Sequence, residues 1–83
     1  MNTNYVRFQD KVVMNIIKHI DEKIEVNDSK KKYVNYLKDR TDLKESRIKR
    51  ILAIGTKRRL TLNDLSQIAK ALDIPIQKLF KDI

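Results

Sequence analysis

The side chains best suited to chemistry in this sequence are basic, and most of them lie in its middle third. Between Ser29 and Leu60 there are twelve lysines and arginines against three acids, while the whole chain of 83 residues has a net charge of +8. A surplus concentrated in this way favours a polyanionic partner, because neutralised phosphates release condensed counterions and drive binding. The alternative is a solvated helical face, which is what most charge runs are. Charge alone leaves the two interpretations about equally open.

The stretch 43–54 combines apolar and basic residues at helical spacing. At 100° per residue, one side of a helix carries Ile48, Ile51 and Leu52, and the other carries Ser46, Lys49, Arg50 and Ala53. Arginine and lysine reach guanine O6 and N7, serine bonds bases or phosphates, and a small residue lets the backbone approach. Such a helix is able to enter the major groove of DNA, so we expect base contacts from Ser46, Arg47, Lys49 and Arg50. The alternative is an ordinary exposed helix.

Two basic triplets flank this stretch. Lys30, Lys31 and Lys32 open the preceding helix, where free amides and the helix dipole favour a phosphate. Lys57, Arg58 and Arg59 follow in a loop, from which they could reach the phosphates beside a groove. We expect both triplets, together with Lys44, to contact phosphates. The alternative is that they only solvate helix ends, but their position on either side of the same candidate helix favours the phosphate contacts. Six neutralised phosphates would give a slope of log affinity on log salt of about −5.

Periodic apolar residues predict five helices in one compact, all-α domain that spans residues 1–83, with residues 1–4 allowed to be disordered. The expected bounds are about Tyr5–Glu25, Lys30–Arg40, Leu43–Ile54, Thr61–Leu72 and Pro75–Lys81. Two pairs, Asp42 with Glu45 and Thr61 with Asp64, have the spacing of capping boxes at the third and fourth helices. Gly55 is expected to be the left-handed stop of the third helix.

Several classes of function are disfavoured. The chain has no cysteine, and His19 is its only histidine, so we expect no catalytic site, no metal site and no cofactor. The N-terminus lacks the apolar core of a signal peptide, and no apolar run approaches the ~18 residues of a membrane span. We therefore expect a cytoplasmic protein that is not an enzyme and does not bind membranes.

Residues 62–80, with Ile68, Ala69, Lys70, Ala71 and Leu72 at their centre, resemble the C-terminal half of the phage-repressor/Cro-like helix-turn-helix family. The preceding residues 43–51 are similar to that family's recognition helix, with a small polar start followed by Ile48 and Ile51. The resemblance covers about Tyr33 to Phe80. It implies a five-helix, lambda-repressor-like fold that docks its third helix in the major groove, usually as a two-fold dimer on a palindromic operator. The first helix of this chain is longer than is typical of the family.

The resemblance also assigns residues by position. Those falling where family members contact bases or adjacent phosphates are Glu45, Ser46, Arg47, Lys49 and Arg50, and the loop Lys57–Arg59 falls where they often touch the DNA backbone.

The sequence therefore predicts a sequence-specific, double-stranded DNA-binding transcriptional regulator, a small homodimeric repressor of phage, plasmid or antitoxin type. The alternative is a protein-interaction or inhibitor module on the same scaffold, with the long first helix as its docking surface. Binding of structured RNA is a weaker option, because the major groove of RNA is narrow.

Overall fold

The computed structural model describes residues 3–24 and 31–81, with side chains from Arg7 onward. Within these residues the ordered secondary structure is entirely helical, which confirms the all-α prediction. The elements are α1 (Thr3–Lys23), α2 (Lys32–Arg40), α3 (Glu45–Ile51), α4 (Leu62–Ala71) and a 3₁₀ helix (Ile76–Phe80). The described part of the chain thus contains four α-helices and a 3₁₀ helix instead of the five helices of the prediction.

The long α1 supplies one wall of the core. Its apolar stripe, spaced at three and four residues, is fully buried and consists of Val12, Val13, Ile16 and Ile20. Every other helix contributes to the same cluster, through Leu37, Ile48, Ile51, Ile68, Leu72 and Leu79. Each such side chain stabilises the fold by about 1.5–3 kcal/mol when it leaves water. The core therefore fixes the position of the short α3, which is too short to be stable alone.

The start of α1 differs from the prediction. Thr3 and Asn4 belong to the first turn of the helix, where disorder had been allowed, and residues 1–2 lie outside the described residues. None of the helices in the described ranges is long and apolar enough to cross a membrane.

One of the two predicted capping boxes is confirmed. At the start of α4, the Thr61 side chain accepts a hydrogen bond from the Asp64 amide, and the Asp64 carboxylate accepts one from the Thr61 amide, both at 3.1 Å. The capping box predicted for Asp42 and Glu45 is wrong. Helix α3 starts after Lys44 and has no side-chain cap, because the Asp42 amide donates to Gln67 Oε1 (2.9 Å) and Glu45 pairs with lysines instead.

The end of α3 also differs from the prediction. The helix ends at Ile51, and Leu52 is its C-terminal cap, so Gly55 does not terminate it. Gly55 does have the expected left-handed backbone, with φ of +85°. It lies in a turn, and its amide donates to the Asp10 carboxylate on α1, 3.0 Å away.

Candidate nucleic-acid interface

Helix α3 has one hidden face and one bare face. Ile48 and Ile51 are fully buried in the core, whereas Ser46, Lys49 and Arg50 are exposed. The division predicted from the sequence is therefore confirmed within Glu45–Ile51. Ala53, expected on the bare face, is half-buried and lies beyond the helix.

The turn between α2 and α3 is held by polar contacts to two helices. The Thr41 hydroxyl donates to the Leu37 carbonyl (2.6 Å) and accepts from the Leu43 amide (3.2 Å). Gln67 on α4 accepts from the Asp42 amide. Because these contacts join α2, the turn and α4, they fix the direction in which α3 leaves the turn.

Glu45 lies between two exposed lysines. Its carboxylate is 3.0 Å from Lys38 Nζ on α2 and 3.2 Å from Lys49 Nζ on the next turn of α3. Hydrogen bonds from Lys38 and Lys49 lower the pKa of Glu45. The carboxylate is thus ionised at neutral pH and neutralises part of the charge on this face.

Arg47, expected to contact bases, has a structural position instead. Its guanidinium pairs with the buried carboxylate of Asp64 on α4 and also donates to the Arg59 carbonyl in the following loop. Burial by itself raises the pKa of Asp64, but the hydrogen bonds from Arg47 and Thr61 outweigh it and leave this pKa below its ordinary value. Arg47 therefore joins α3, α4 and the loop, and the base contact expected from the sequence would require it to leave Asp64.

Arg58, expected to contact a phosphate, is buried. Its side chain is only 1% exposed, and its Nη2 lies 2.8 Å from Asp10 Oδ1 on α1. Its Nη1 donates to the Thr56 carbonyl at 2.6 Å, and the neighbouring Gln9 accepts from its amide at 3.2 Å and donates to its carbonyl. The phosphate assignment of Arg58 is wrong, because no ligand can reach this guanidinium in the fold. Lys57 and Arg59, on either side of it, are exposed.

The basic start of α2 gives a mixed result. Lys32 Nζ lies 2.7 Å from Asp21 of α1 and 5.0 Å from the centre of the Tyr33 ring, and its side chain is only 16% exposed. The hydrogen bond to Asp21 raises the pKa of Lys32, so the pair holds at neutral pH. Lys32 therefore ties α2 to α1, and the phosphate contact expected from the sequence would require its pair with Asp21 to open. Lys31 and Lys44 are exposed, and Lys30 lies outside the described residues.

The contact between α1 and the loop was missed at the sequence level, although one signal was available. Gln9 is a polar residue on the buried stripe of α1, four residues before Val13, and it is 1% exposed. A buried amide side chain needs hydrogen-bond partners. Its position therefore indicated a polar contact, but the partner, 49 residues away, could not be named.

Within the described ranges, no group of His, Cys, Asp and Glu side chains could hold a metal ion. His19 Nδ1 lies 3.3 Å from Glu22 Oε1, one turn along α1, in an ordinary helix-surface contact. Comparison of the chain with protein-family models, with curated proteins and with solved structures found no match in any of the three.

Proposed function

We propose that this protein is a sequence-specific, double-stranded DNA-binding transcriptional regulator, a small repressor of phage, plasmid or antitoxin type. The observation that carries the proposal is the division of α3, whose aliphatic edge is buried while Ser46, Lys49 and Arg50 are bare. The resemblance of residues 33–80 to the Cro-like family supports the same proposal and adds the lambda-repressor-like arrangement of the helices.

The size and chemistry of α3 suit the major groove. An α-helix with its side chains is about 10–12 Å across, and the major groove of B-form DNA is about 12 Å wide. In this proposal Arg50 and Lys49 donate to guanine O6 and N7, and the Ser46 hydroxyl bonds a neighbouring base or phosphate.

In the same proposal, exposed cations beside α3 contact phosphates. Lys44 precedes the helix, and Lys57 and Arg59 lie in the loop that follows it. The Arg59 carbonyl is bonded to Arg47 of α3, so this part of the loop lies against the candidate recognition helix. Three phosphate contacts give a slope of log affinity on log salt of about −3 per bound protomer, smaller than the −5 expected from the sequence.

We propose further that the protein binds as a homodimer on a palindromic operator. Selection of bound sequences from a random duplex pool tests this directly. Two half-sites centred about 10 base pairs apart, or a multiple of that, would place two copies of α3 on one side of the duplex.

Two variants separate base reading from phosphate binding on the selected duplex. Arg50→Ala should relax specificity at one base pair by about 1–3 kcal/mol. Arg59→Ala should weaken binding to duplexes of all sequences alike and reduce the magnitude of the salt slope by about one. Lys18→Ala, which removes an exposed cation from α1, is the matched control and should change neither quantity. If Arg50→Ala and Arg59→Ala bind every sequence as the wild type does, the proposed docking of α3 is wrong.

One observation favours a second candidate, a protein-interaction or inhibitor module that uses α1. Met14 is 56% exposed on the outer face of α1, among the exposed cations Arg7, Lys11 and Lys18. An exposed methionine among cations suits contact with an acidic protein surface, because the thioether side chain adapts its shape. Gel retardation of random duplex at low salt separates the candidates. Lack of retardation at micromolar protein favours the interaction module.

A further inference from the structure

Glu45 is the single acid of α3 and lies on the same side as the residues assigned to DNA. Its carboxylate pairs with Lys38 and Lys49, which are both more than half exposed, and it is itself 39% exposed. An acid at this place is unfavourable for a helix that only needs to approach phosphates. As an acid in the first turn, Glu45 is favourable to the helix dipole, but it lowers the general affinity of α3 for DNA.

The chemistry of the groove restricts what a carboxylate can bind there. Guanine N7 and O6, thymine O4 and adenine N7 are all acceptors, as are the phosphates, whereas the exocyclic amino groups of cytosine and adenine are donors. An ionised carboxylate only accepts hydrogen bonds. Among the groups that the DNA presents in the groove, only such an amino group can therefore donate a hydrogen bond to the carboxylate.

We propose that Glu45 is a specificity-determining residue. At an unselected sequence it remains paired with Lys38 and Lys49, and its negative charge repels the phosphates. Where an amino group of cytosine or adenine faces it, the carboxylate accepts from that group, and α3 docks closely. This inference rests on the proposed function, since it specifies how the same helix discriminates between duplexes.

The expected effect of Glu45 on the affinity for DNA follows from one unit of charge. Exposed ion pairs are weak, so Lys38 and Lys49 can leave Glu45 for a phosphate. The main effect on affinity is therefore the carboxylate charge close to the DNA. A unit charge about 4 Å from a phosphate in water changes affinity by about fivefold. Loss of that charge should also make the salt slope more negative by about one.

The test compares Glu45→Gln with the wild type on random duplex and on the selected duplex, over a salt titration. Glu45→Gln should bind random duplex about fivefold more tightly, while the selected duplex gains less, so the ratio of the two affinities falls. Repeated selection with this variant should shift one position towards adenine, which glutamine contacts bidentately. The control is Glu22→Gln, which makes the same change of charge on α1, where Glu22 pairs with His19.

The outcomes are distinguishable. Equal effects of Glu45→Gln and Glu22→Gln on random duplex would reduce the result to net charge and overturn the inference. An unchanged selected sequence together with an unchanged ratio of affinities would also overturn it, while leaving the proposed function intact. If the wild type binds no duplex at all, the proposed function fails first, and the inference falls with it.

Discussion

Removal of the Asp10 charge is the sharpest test of how the loop after α3 is built. In Asp10→Asn the side chain keeps its shape and an oxygen that can accept from the Gly55 amide, 3.0 Å away in the wild type. What disappears is the counter-charge of Arg58, whose guanidinium is buried. Within the described residues, Nε and Nη2 of Arg58 make no regular hydrogen bond, so the ion pair is the main compensation for its burial.

The expected loss of stability is large for a domain of this size. Breaking a buried ion pair by removing one partner costs about 3–5 kcal/mol. Because the Asp10 side chain is 20% exposed, and water can partly replace it, we expect the lower end, about 3 kcal/mol. An 83-residue domain has a total stability of about 4–12 kcal/mol. Asp10→Asn should therefore lower the melting temperature by about 12–24 °C.

Urea unfolding followed by the helical circular-dichroism signal measures this change. Arg58→Met and the double variant Asp10→Asn/Arg58→Met complete the cycle. The free energy of unfolding of the double variant should lie within about 1 kcal/mol of the wild-type value, since removal of both charges leaves no uncompensated charge buried. Duplex binding by Arg58→Met should keep the wild-type salt slope, because Arg58 contacts no phosphate.

Two results would refute this reasoning. A free energy of unfolding of Asp10→Asn within about 0.5 kcal/mol of the wild-type value would mean that the buried pair does not form. A salt slope of Arg58→Met reduced by about one, as expected for Arg59→Ala, would mean that Arg58 leaves its site and binds a phosphate.

Four further predictions concern stability. Thr61→Ala removes the capping box of α4 and should cost about 1 kcal/mol in the free energy of unfolding, measured by urea titration. Gly55→Ala should cost about 1–2 kcal/mol in the same assay, from the left-handed backbone alone, because an added Cβ meets no atom within 4 Å. Ile48→Ala should cost about 2–5 kcal/mol and abolish duplex binding, since this side chain seats α3 in the core. Because the pKa of Asp64 is lowered in the fold, its ionised carboxylate stabilises the protein above about pH 4, and this stabilisation is lost as the pH falls through the folded-state pKa. Asp64→Asn should therefore flatten the decline of stability in acid, measured by thermal melts between pH 2 and 6.

The sequence was a good guide where local signals decide the structure. The apolar stripe of α1 and the Thr61–Asp64 pair of α4 both act within one or two helical turns, and both elements form as predicted. The buried and bare edges of α3 likewise follow from its spacing, since Ile48 and Ile51 need only turn towards any apolar neighbour.

Local signals failed where distant residues compete for the same group. Asp42 and Glu45 have the spacing of a capping box, yet Gln67 takes the amide of Asp42, and the lysines Lys38 and Lys49 take the carboxylate of Glu45. Asp42 also lies two residues before Lys44, the N-cap residue of α3, so its side chain is not at the capping position. Neither Gln67 nor Lys38 is a neighbour of α3 in sequence, so their competition is visible only in the fold.

The same reasoning changes the meaning of the basic middle third. Three of its cations, Lys32, Arg47 and Arg58, pair with the acids Asp21, Asp64 and Asp10, and each of these acids lies outside residues 29–60.

A surplus of nine charges in that stretch of sequence therefore becomes six once these three pairs, all within the described residues, are counted. The paired cations join α1, α2, α3 and α4, and they cannot also neutralise phosphates unless the pairs open. Because opening the Arg58 pair alone is expected to cost about 3 kcal/mol, more than a typical surface ion pair returns, the pairs should remain closed on DNA. A salt slope near −3 per protomer would agree with closed pairs, whereas a slope near −5 would mean that further cations, from opened pairs or from elsewhere on the surface, contact phosphates.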